Sequence, residues 1–398
     1  MLININLQEE SNILKILDRD KNVFITDLIK VDKQIKEEIQ NSSFLVIGGA
    51  GSIGSQVTKQ IFKLNPKKLH VIDISENELA ELVRDLRSSI GYIKGEFKTF
   101  TIDANSKTYN KLVDSNKYDY ILNFSAMKHL RTERDIFSLI RMLETNIFLV
   151  EKTIKLSIEK GTKKYFCVST DKAVNPTNLM GASKKIMEEI LKSYMDRIAV
   201  SSARFANVIF SNGSITYSFL KRIEKNQPIT APNDIKRYFI TPYESAILCI
   251  ISAIIGKNEI FIPKLNHHHL KTPWQIAKNL LKLLDIEPHI CNTEEEARKS
   301  VGINKKKWPC FISETDTTGE KNIEEFYYKN EKITNNIFKD ISVIKMDSTN
   351  GEIDYFIKSL KKSISSNNLT KAKIVKLFED FIPGFKHMET NKYLDDKM

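Results

Sequence analysis

An α/β fold built on a doubly wound parallel sheet, with a smaller C-terminal lobe, is predicted by three features of the chain. Short apolar runs alternate with helical stretches, a glycine-rich turn joins the first run to its helix, and the alternation weakens beyond residue 205. The runs are Phe44–Ile47, Leu69–Ile72, Tyr120–Phe124, Tyr165–Val168 and Ala199–Ala203. Continuous rather than alternating apolar character means burial on both faces, as crossover helices provide.

Around this centre the remaining segments sort by composition. Residues 1–42 are polar and helix-prone and are expected to form a helical extension; residues 43–205 hold the alternating pattern. Ser75-Glu76-Asn77-Glu78 has the spacing of a capping box, and Leu79, Leu82, Val83 and Leu86 supply the apolar stripe of the helix that follows. Residues 206–362, with turn-rich pieces at Gln227-Pro228 and Ala231-Pro232-Asn233-Asp234, form the smaller lobe, part of which can cross back to the first domain. In residues 363–398, Ser363–Asn368 reads as a linker. It leads into a helix with Ile374, Leu377, Phe378 and Phe381 on one face, stopped by Pro383-Gly384.

A hydrophobic fraction of 41% and a charged fraction of 28% over 398 residues fit a globular protein and exclude a disordered or fibrous one. The net charge of +11 comes from dispersed lysines; it suits a polyanionic small ligand, and no nucleic-acid motif accompanies it. The N-terminus lacks the basic start and apolar run of a signal peptide. The longest apolar stretch, Ala246–Ile255, is interrupted by Ser252 and too short to span a bilayer. Cys167, Cys249, Cys291 and Cys310 are scattered, as reduced thiols of a cytoplasmic protein would be. These features give a cytoplasmic protein with no membrane segment and no nucleic-acid partner. The consecutive His267, His268 and His269 cannot all face one ion, and no metal is expected.

The first strand runs into Gly48-Gly49-Ala50-Gly51-Ser52-Ile53-Gly54 and then a helix. Glycines at 48, 51 and 54 permit a tight turn and bring a pyrophosphate against the helix N-terminus, where the amides of Ser52 and Ile53 lie. The second strand ends in Asp73, where an acid that holds a ribose diol belongs; with no arginine beside it, NAD is favoured over NADP. This is a Rossmann dinucleotide-binding domain. The third strand ends at Ile102-Asp103-Ala104, so Asp103 and Ala104 reach the adenine position, or Asp103 caps the next helix.

Ser169-Thr170-Asp171-Lys172, Asn175-Pro176-Thr177-Asn178 and Met180-Gly181-Ala182-Ser183-Lys184 together resemble the UDP-N-acetylglucosamine 4,6-dehydratase family, extended short-chain dehydrogenases/reductases of polysaccharide biosynthesis. Asn123 to His129, Arg204 to Val208 and Lys236 to Thr241 extend the resemblance, which spans about residues 43–330. Most short-chain dehydrogenases use a YxxxK pair; here Met180 stands at the tyrosine position, as in the large membrane-anchored branch of the family. The chain looks like a soluble relative of that branch.

The resemblance implies an NAD-dependent conversion of UDP-N-acetylglucosamine to a 4-keto-6-deoxy sugar. C4 is oxidised, water is eliminated across C5 and C6, and the hydride returns to C6. Lys172 is implied as the base at C5, Asp171 as the acid for the leaving C6 hydroxyl, and Thr170 as the group nearest the C4 hydroxyl. A lysine base must be neutral and an acid protonated; burial favours both forms, whereas close contact between the two favours an ion pair. Ser125 and Lys184 are implied at the cofactor, and Lys128, His129, Met180, Asn207 and Arg237 at the UDP-sugar. A homo-oligomer is expected by analogy of fold. Two other readings are a 4-epimerase or 4-oxidoreductase, which would have no use for the Asp171-Lys172 pair, and a non-catalytic NAD-binding scaffold.

Overall fold

The computed structural model describes residues 9–304, 306–315, 324–348 and 351–389. Its first six strands are β1 (Ser43–Ile47), β2 (Lys68–Asp73), β3 (Glu96–Thr101), β4 (Tyr120–Asn123), β5 (Lys164–Val168) and β6 (Ala199–Ala203). Consecutive apolar residues of β1 serve opposite cores: Phe44 and Val46 pack on one face, Leu45 and Ile47 on the other. The run is apolar throughout because both faces are covered.

Helices α1 (Glu10–Ile16) and α2 (Ile25–Gln40) precede the sheet, and α3 (Ser52–Lys63), α4 (Glu76–Ser89) and α5 (Lys107–Asp114) follow the first three strands. Next come α6 (Ile136–Leu143), α7 (Leu149–Glu159) and α8 (Leu179–Tyr194). Beyond β6 lie β7 (Asn207–Val208), α9 (Ile215–Glu224), β8 (Ile229–Pro232), β9 (Arg237–Ile240), α10 (Pro242–Ile255) and β10 (Glu259–Pro263). They are followed by β11 (Leu270–Lys271), α11 (Pro273–Leu283), β12 (Glu287–Cys291), α12 (Glu294–Lys299) and β13 (Lys307–Ser313). The chain closes with β14 (Ile333–Thr334), β15 (Ile341–Lys345), α13 (Glu352–Ile364) and α14 (Lys371–Phe381).

Among the described residues the main sheet has nine strands in the order β14-β15-β10-β6-β5-β4-β1-β2-β3. β1 to β6 and β10 run parallel, whereas β15 pairs antiparallel with β10. Strand order reverses between β1 and β4, so a crevice opens at their carboxyl ends. Segments after residue 205 return to this sheet through α10, β10, β14 and β15. Helices α13 and α14 also pack on the main core, and the rest of that region includes a small sheet β11-β9-β7 and a parallel three-stranded sheet, β12-β13-β8, packed against α9 and α11.

The N-terminal extension joins the two parts. Ile13, Ile16 and Leu17 pack into the small lobe, while Ile35 and Ile39 of α2 pack on the main sheet. Between them Arg19 spans both oxygens of the buried Glu244 at 3.0 Å, and Thr241 donates to Glu10. Thr241 and Glu244 form a capping box at the start of α10, with Pro242 in its first turn. The long apolar stretch is this helix, buried on nearly every side, and no helix among the described residues is long and apolar enough to cross a membrane.

Three local expectations change. Ser75 caps α4 by accepting Glu78 N–H at 3.3 Å, but its own amide donates to Asp73 Oδ1 at 3.1 Å, replacing the reciprocal half of the box. β3 ends at Thr101 and leaves residues 102–104 in a turn. Helix α13 runs through Ile364, so the linker begins at Ser365. The four cysteines are free and buried.

Candidate active site

A cavity of ≈ 390 Å³ opens at the reversal of strand order. It brings together Gly48, Gly51, Ser52, Ile53 and Gly54 from the glycine turn, and Lys128 and His129 from the segment after β4. Thr170, Asp171 and Lys172 follow β5, Met180 and Lys184 stand on α8, and Asn207 lies on β7. Asp73, Asp103, Ala104, Ser125 and Arg237 lie outside its lining. A separate cavity of ≈ 470 Å³, on the far side of α8 near β15 and α14, holds none of these residues.

The glycine turn has the shape of a dinucleotide cradle. Gly48 has φ +69°, and a Cβ there would lie 2.8 Å from Ser125 N, so this turn and the segment after β4 touch backbone to backbone. A Cβ on Gly54 would lie 2.2 Å from Gly48 O, closer than any real contact. Asp73 stands at the end of β2 and binds the turn by accepting Ala50 N–H at 3.1 Å. Lys184 Nζ is buried without a partner among the described residues, and burial pushes its pKa down. A buried donor without an acceptor, facing a cradle of this shape, fits a ribose hydroxyl. Gly54→Ala is therefore expected to lower dinucleotide content at least about tenfold, a loss of ~1.4 kcal/mol. Full content, measured on the dinucleotide released by denaturation, would contradict that role.

Asp103 is not the cap of the next helix. Ser106 caps α5, and Asp103 Oδ1 accepts the Asn105 amide at 2.8 Å while Oδ2 meets Arg141 at 3.5 Å. Ala104 is buried against the core, and its carbonyl accepts Lys152 Nζ at 3.2 Å.

The reactive groups are held by a turn that β5 delivers to the crevice. Thr170 caps the short 3-10 helix Asp171–Ala173, and its hydroxyl donates to Asp171 Oδ1 at 2.6 Å. Asp171 is 2% exposed, and its Oδ2 has no partner among the described residues. Lys172 Nζ lies 3.4 Å from Asp171 Oδ1 and 3.5 Å from Glu324 Oε1. Burial works against the Lys172 ammonium, but the two carboxylates outweigh it and raise its pKa. The lysine at rest is therefore the cation, not the free amine that burial alone would favour. Lys128 and His129 are pushed down, first by burial and then by neighbouring cations, so His129 is neutral at pH 7.

Arg237 rests against a carboxylate. It is buried on β9, with Nε 3.4 Å from Glu324 Oε1. Asn207 also turns to this carboxylate, donating to Oε1 at 2.8 Å. Nothing in the sequence marks Glu324, since Ile323-Glu324-Glu325-Phe326 carries no motif.

Two further groups position the site. Glu133 Oε1 accepts the Met180 amide at 2.9 Å, and Glu133 Oε2 meets His387 Nε2 at 2.8 Å. Asn146, in a π-helical turn between α6 and α7, accepts Met127 N–H and donates to Met127 O and Ser183 Oγ, each at 2.9 Å. It thus joins the segment bearing Lys128 to the helix bearing Lys184. The three consecutive histidines lie in a short 3-10 helix, His267 and His268 exposed and His269 half-buried against Asn266. A different group, His289, Cys291 and Glu296, has ligand atoms within 4.8 Å of one another.

The nine-stranded sheet, its switch-point crevice and the second lobe define an extended short-chain dehydrogenase/reductase. The chain belongs to the polysaccharide biosynthesis protein family, whose model matches residues 44–346. It is 26% identical over 371 residues to the capsular polysaccharide biosynthesis protein CapD of Staphylococcus aureus, covering 90% of this chain and 57% of that one. The chain thus spans little more than half the length of that relative. It is 30% identical over 233 residues to an inverting UDP-N-acetylglucosamine 4,6-dehydratase of Campylobacter jejuni, covering 56% of this chain and 67% of that one. Pen from Bacillus thuringiensis shares the fold, with a TM-score of 0.63 at 22% identity over 86% of this chain and 98% of that one.

Proposed function

We propose that the chain is an NAD-dependent nucleotide-sugar 4,6-dehydratase acting on UDP-N-acetylglucosamine. The observation that carries the reading is the Thr170, Asp171 and Lys172 cluster in one cavity with the glycine turn, where no tyrosine stands among the described lining residues. An epimerase needs an acid–base group at C4 and no elimination pair. The Campylobacter relative's name supports the sugar, and Asp73 beside the turn supports NAD over NADP. When bound, the nicotinamide's contribution is to hold the hydride between its removal from C4 and its return at C6.

The protein's own groups then divide the proton transfers. The bond from Thr170 to Asp171 is a path for the C4 hydroxyl proton, because a threonine hydroxyl is too weak a base unless it passes the proton on. A carboxyl loaded in this way is the acid that the departing C6 hydroxyl requires, so Asp171 need not begin the cycle protonated. Lys172 removes the C5 proton and later returns it. Lys128, Asn207 and Arg237 supply donors for the sugar and its diphosphate. The domain limits of 43–205 for the cofactor and 206–362 for the sugar are kept as a division of labour, with α10, β10, β14 and β15 as shared framework.

Incubation with UDP-N-acetylglucosamine, followed by NMR, is expected to give a UDP-4-keto-6-deoxy sugar with no net change in NADH. Stoichiometric NADH accumulating with product would replace the dehydratase by a simple dehydrogenase, and a dinucleotide pool of mainly NADP would overturn the role of Asp73.

A further inference from the structure

Glu324 approaches the reactive cluster from a segment far along the chain. Its side chain is 3% exposed and makes four contacts, all to groups of the site. Oε1 lies 3.5 Å from Lys172 Nζ, 3.4 Å from Arg237 Nε and 2.8 Å from Asn207 Nδ2, and Oε2 accepts Tyr238 N–H at 3.3 Å. Lys172 therefore stands between two carboxyls. In the reading above Asp171 takes the C4 proton through the Thr170 hydroxyl, which leaves Glu324 as the carboxyl that can exchange one with the lysine.

We propose that Glu324 is the proton partner of Lys172: when a sugar diphosphate engages Arg237, Glu324 takes the Nζ proton and leaves Lys172 as the free amine that deprotonation at C5 requires. The inference rests on the dehydratase reading above and deepens it. In this step the Lys172 Nζ–H bond breaks and a Glu324 Oε–H bond forms, so an ammonium–carboxylate pair becomes an amine and a carboxylic acid. Net charge is unchanged and no co-reactant is needed. The proton returns to the lysine when product leaves.

The trigger follows from the groups that face Glu324. Asp171 repels its negative charge, Lys172 and Arg237 favour it, and the Tyr238 phenol lies beside it; Lys128 faces Lys172 across the cavity. Burial, reinforced by Asp171, has already pushed the Glu324 carboxyl up to about 7 with both cations in place. A diphosphate that draws Arg237 to itself removes one of those cations, and a filled pocket removes water. Both changes disfavour the separated charges and favour the neutral pair. Glu324 acts through Lys172 and is a positioning residue.

The test uses the full chain with Glu324→Gln and Glu324→Asp. Deuterium entry at C5 of UDP-N-acetylglucosamine is followed against pH, with melting temperature and dinucleotide content as controls. Transfer within the pair makes the reactive state independent of pH between its two titrations, so the wild-type rate is expected to be flat around neutrality. In Glu324→Gln the lysine must lose its proton to solvent. The rate should fall about 10- to 100-fold at neutrality and climb about tenfold per pH unit, and Glu324→Asp should restore the flat profile. A flat profile in Glu324→Gln, or a loss that follows melting temperature with no change of slope, overturns the proposal.

A second measurement needs no turnover. Amine-selective labelling of Lys172, mapped by peptide mass spectrometry, is followed against pH with and without UDP. UDP should lower the labelling midpoint in the wild type and leave it in place in Glu324→Gln; an unmoved wild-type midpoint discards the proton couple. If that shift is present but UDP-N-acetylglucosamine is not converted, the sugar assignment fails and the couple stands.

Discussion

Replacing Asp171 by Asn and Lys172 by Ala together is expected to abolish product formation while leaving the fold and the dinucleotide content intact. Both residues sit on the turn after β5, at the rim of the crevice rather than in either apolar core. Asn keeps the shape of Asp171 and can still accept the Thr170 hydroxyl. Loss of an acid or base typically lowers a rate by about 10² to 10⁴ per group, so the double variant should fall below ordinary detection. Because Asp171 also receives the C4 hydroxyl proton through Thr170, C4 oxidation should slow as well, and little reduced cofactor is expected to accumulate on mixing with substrate. The decisive measurement is solvent deuterium at C5. Exchange at the wild-type rate would mean that the elimination groups lie elsewhere.

Arg204→Leu is expected to destabilise the protein by about 3–5 kcal/mol, because it strands two carboxylates that now share one cation. Arg204 is fully buried and reaches both oxygens of Glu188 at 2.7–2.8 Å and both of Glu331 at 2.7 Å. Burial opposes ionisation of Glu188, but Arg204 outweighs it and lowers its pKa from 4.5 to about 2. A lowered folded-state pKa gives stability that is present above the unfolded value of 4.5 and lost as pH falls through about 2. In the variant the same buried carboxyl loses its paired guanidinium and keeps only the more weakly acting Lys185, its pKa rises, and the sign reverses. From this group the variant should be more stable at pH 5 than at pH 8, whereas the wild type is level over that range and loses stability only as pH falls below 4.5 towards about 2. Thermal melts of both proteins between pH 5 and 8, with the wild type followed further into acid, check both statements, and parallel slopes between pH 5 and 8 would contradict them.

What was legible in the residue order is what depends on near neighbours. The apolar runs at 44–47, 69–72 and 165–168 each became a strand, because burial on both faces of a parallel sheet leaves no polar alternation to mislead. Gly48 to Gly54 and Thr170 to Lys172 are compact motifs whose geometry is set within a few residues. The strand order then places them in one cavity. Glu324, Glu133, Asn146 and His387 could not be found in this way. Each acts through a partner brought near by the fold, as Glu324 does with Asn207, 117 residues away. Asp103 shows the converse. Its position after a strand allowed two roles, and competition decided against one of them, since Ser106 three residues on is the better-placed cap. Arg237 was placed by motif among the phosphate groups, and only the fold reveals the carboxylate that holds it at rest.

The bond between His387 and Glu133 spans 254 residues, and the bond between Arg19 and Glu244 spans 225. Contacts so distant in the chain form late, since a long loop must close before they give anything back. The strands through β6 can assemble from nearby pieces as they are made, yet Glu133, which holds the first turn of α8 through the Met180 amide, lacks its imidazole partner until residue 387 has been synthesised. Translation order thereby becomes an order of assembly: a chain cut before residue 387 still carries the strands through β6 and the glycine turn, but not the imidazole that meets Glu133 behind the first turn of α8.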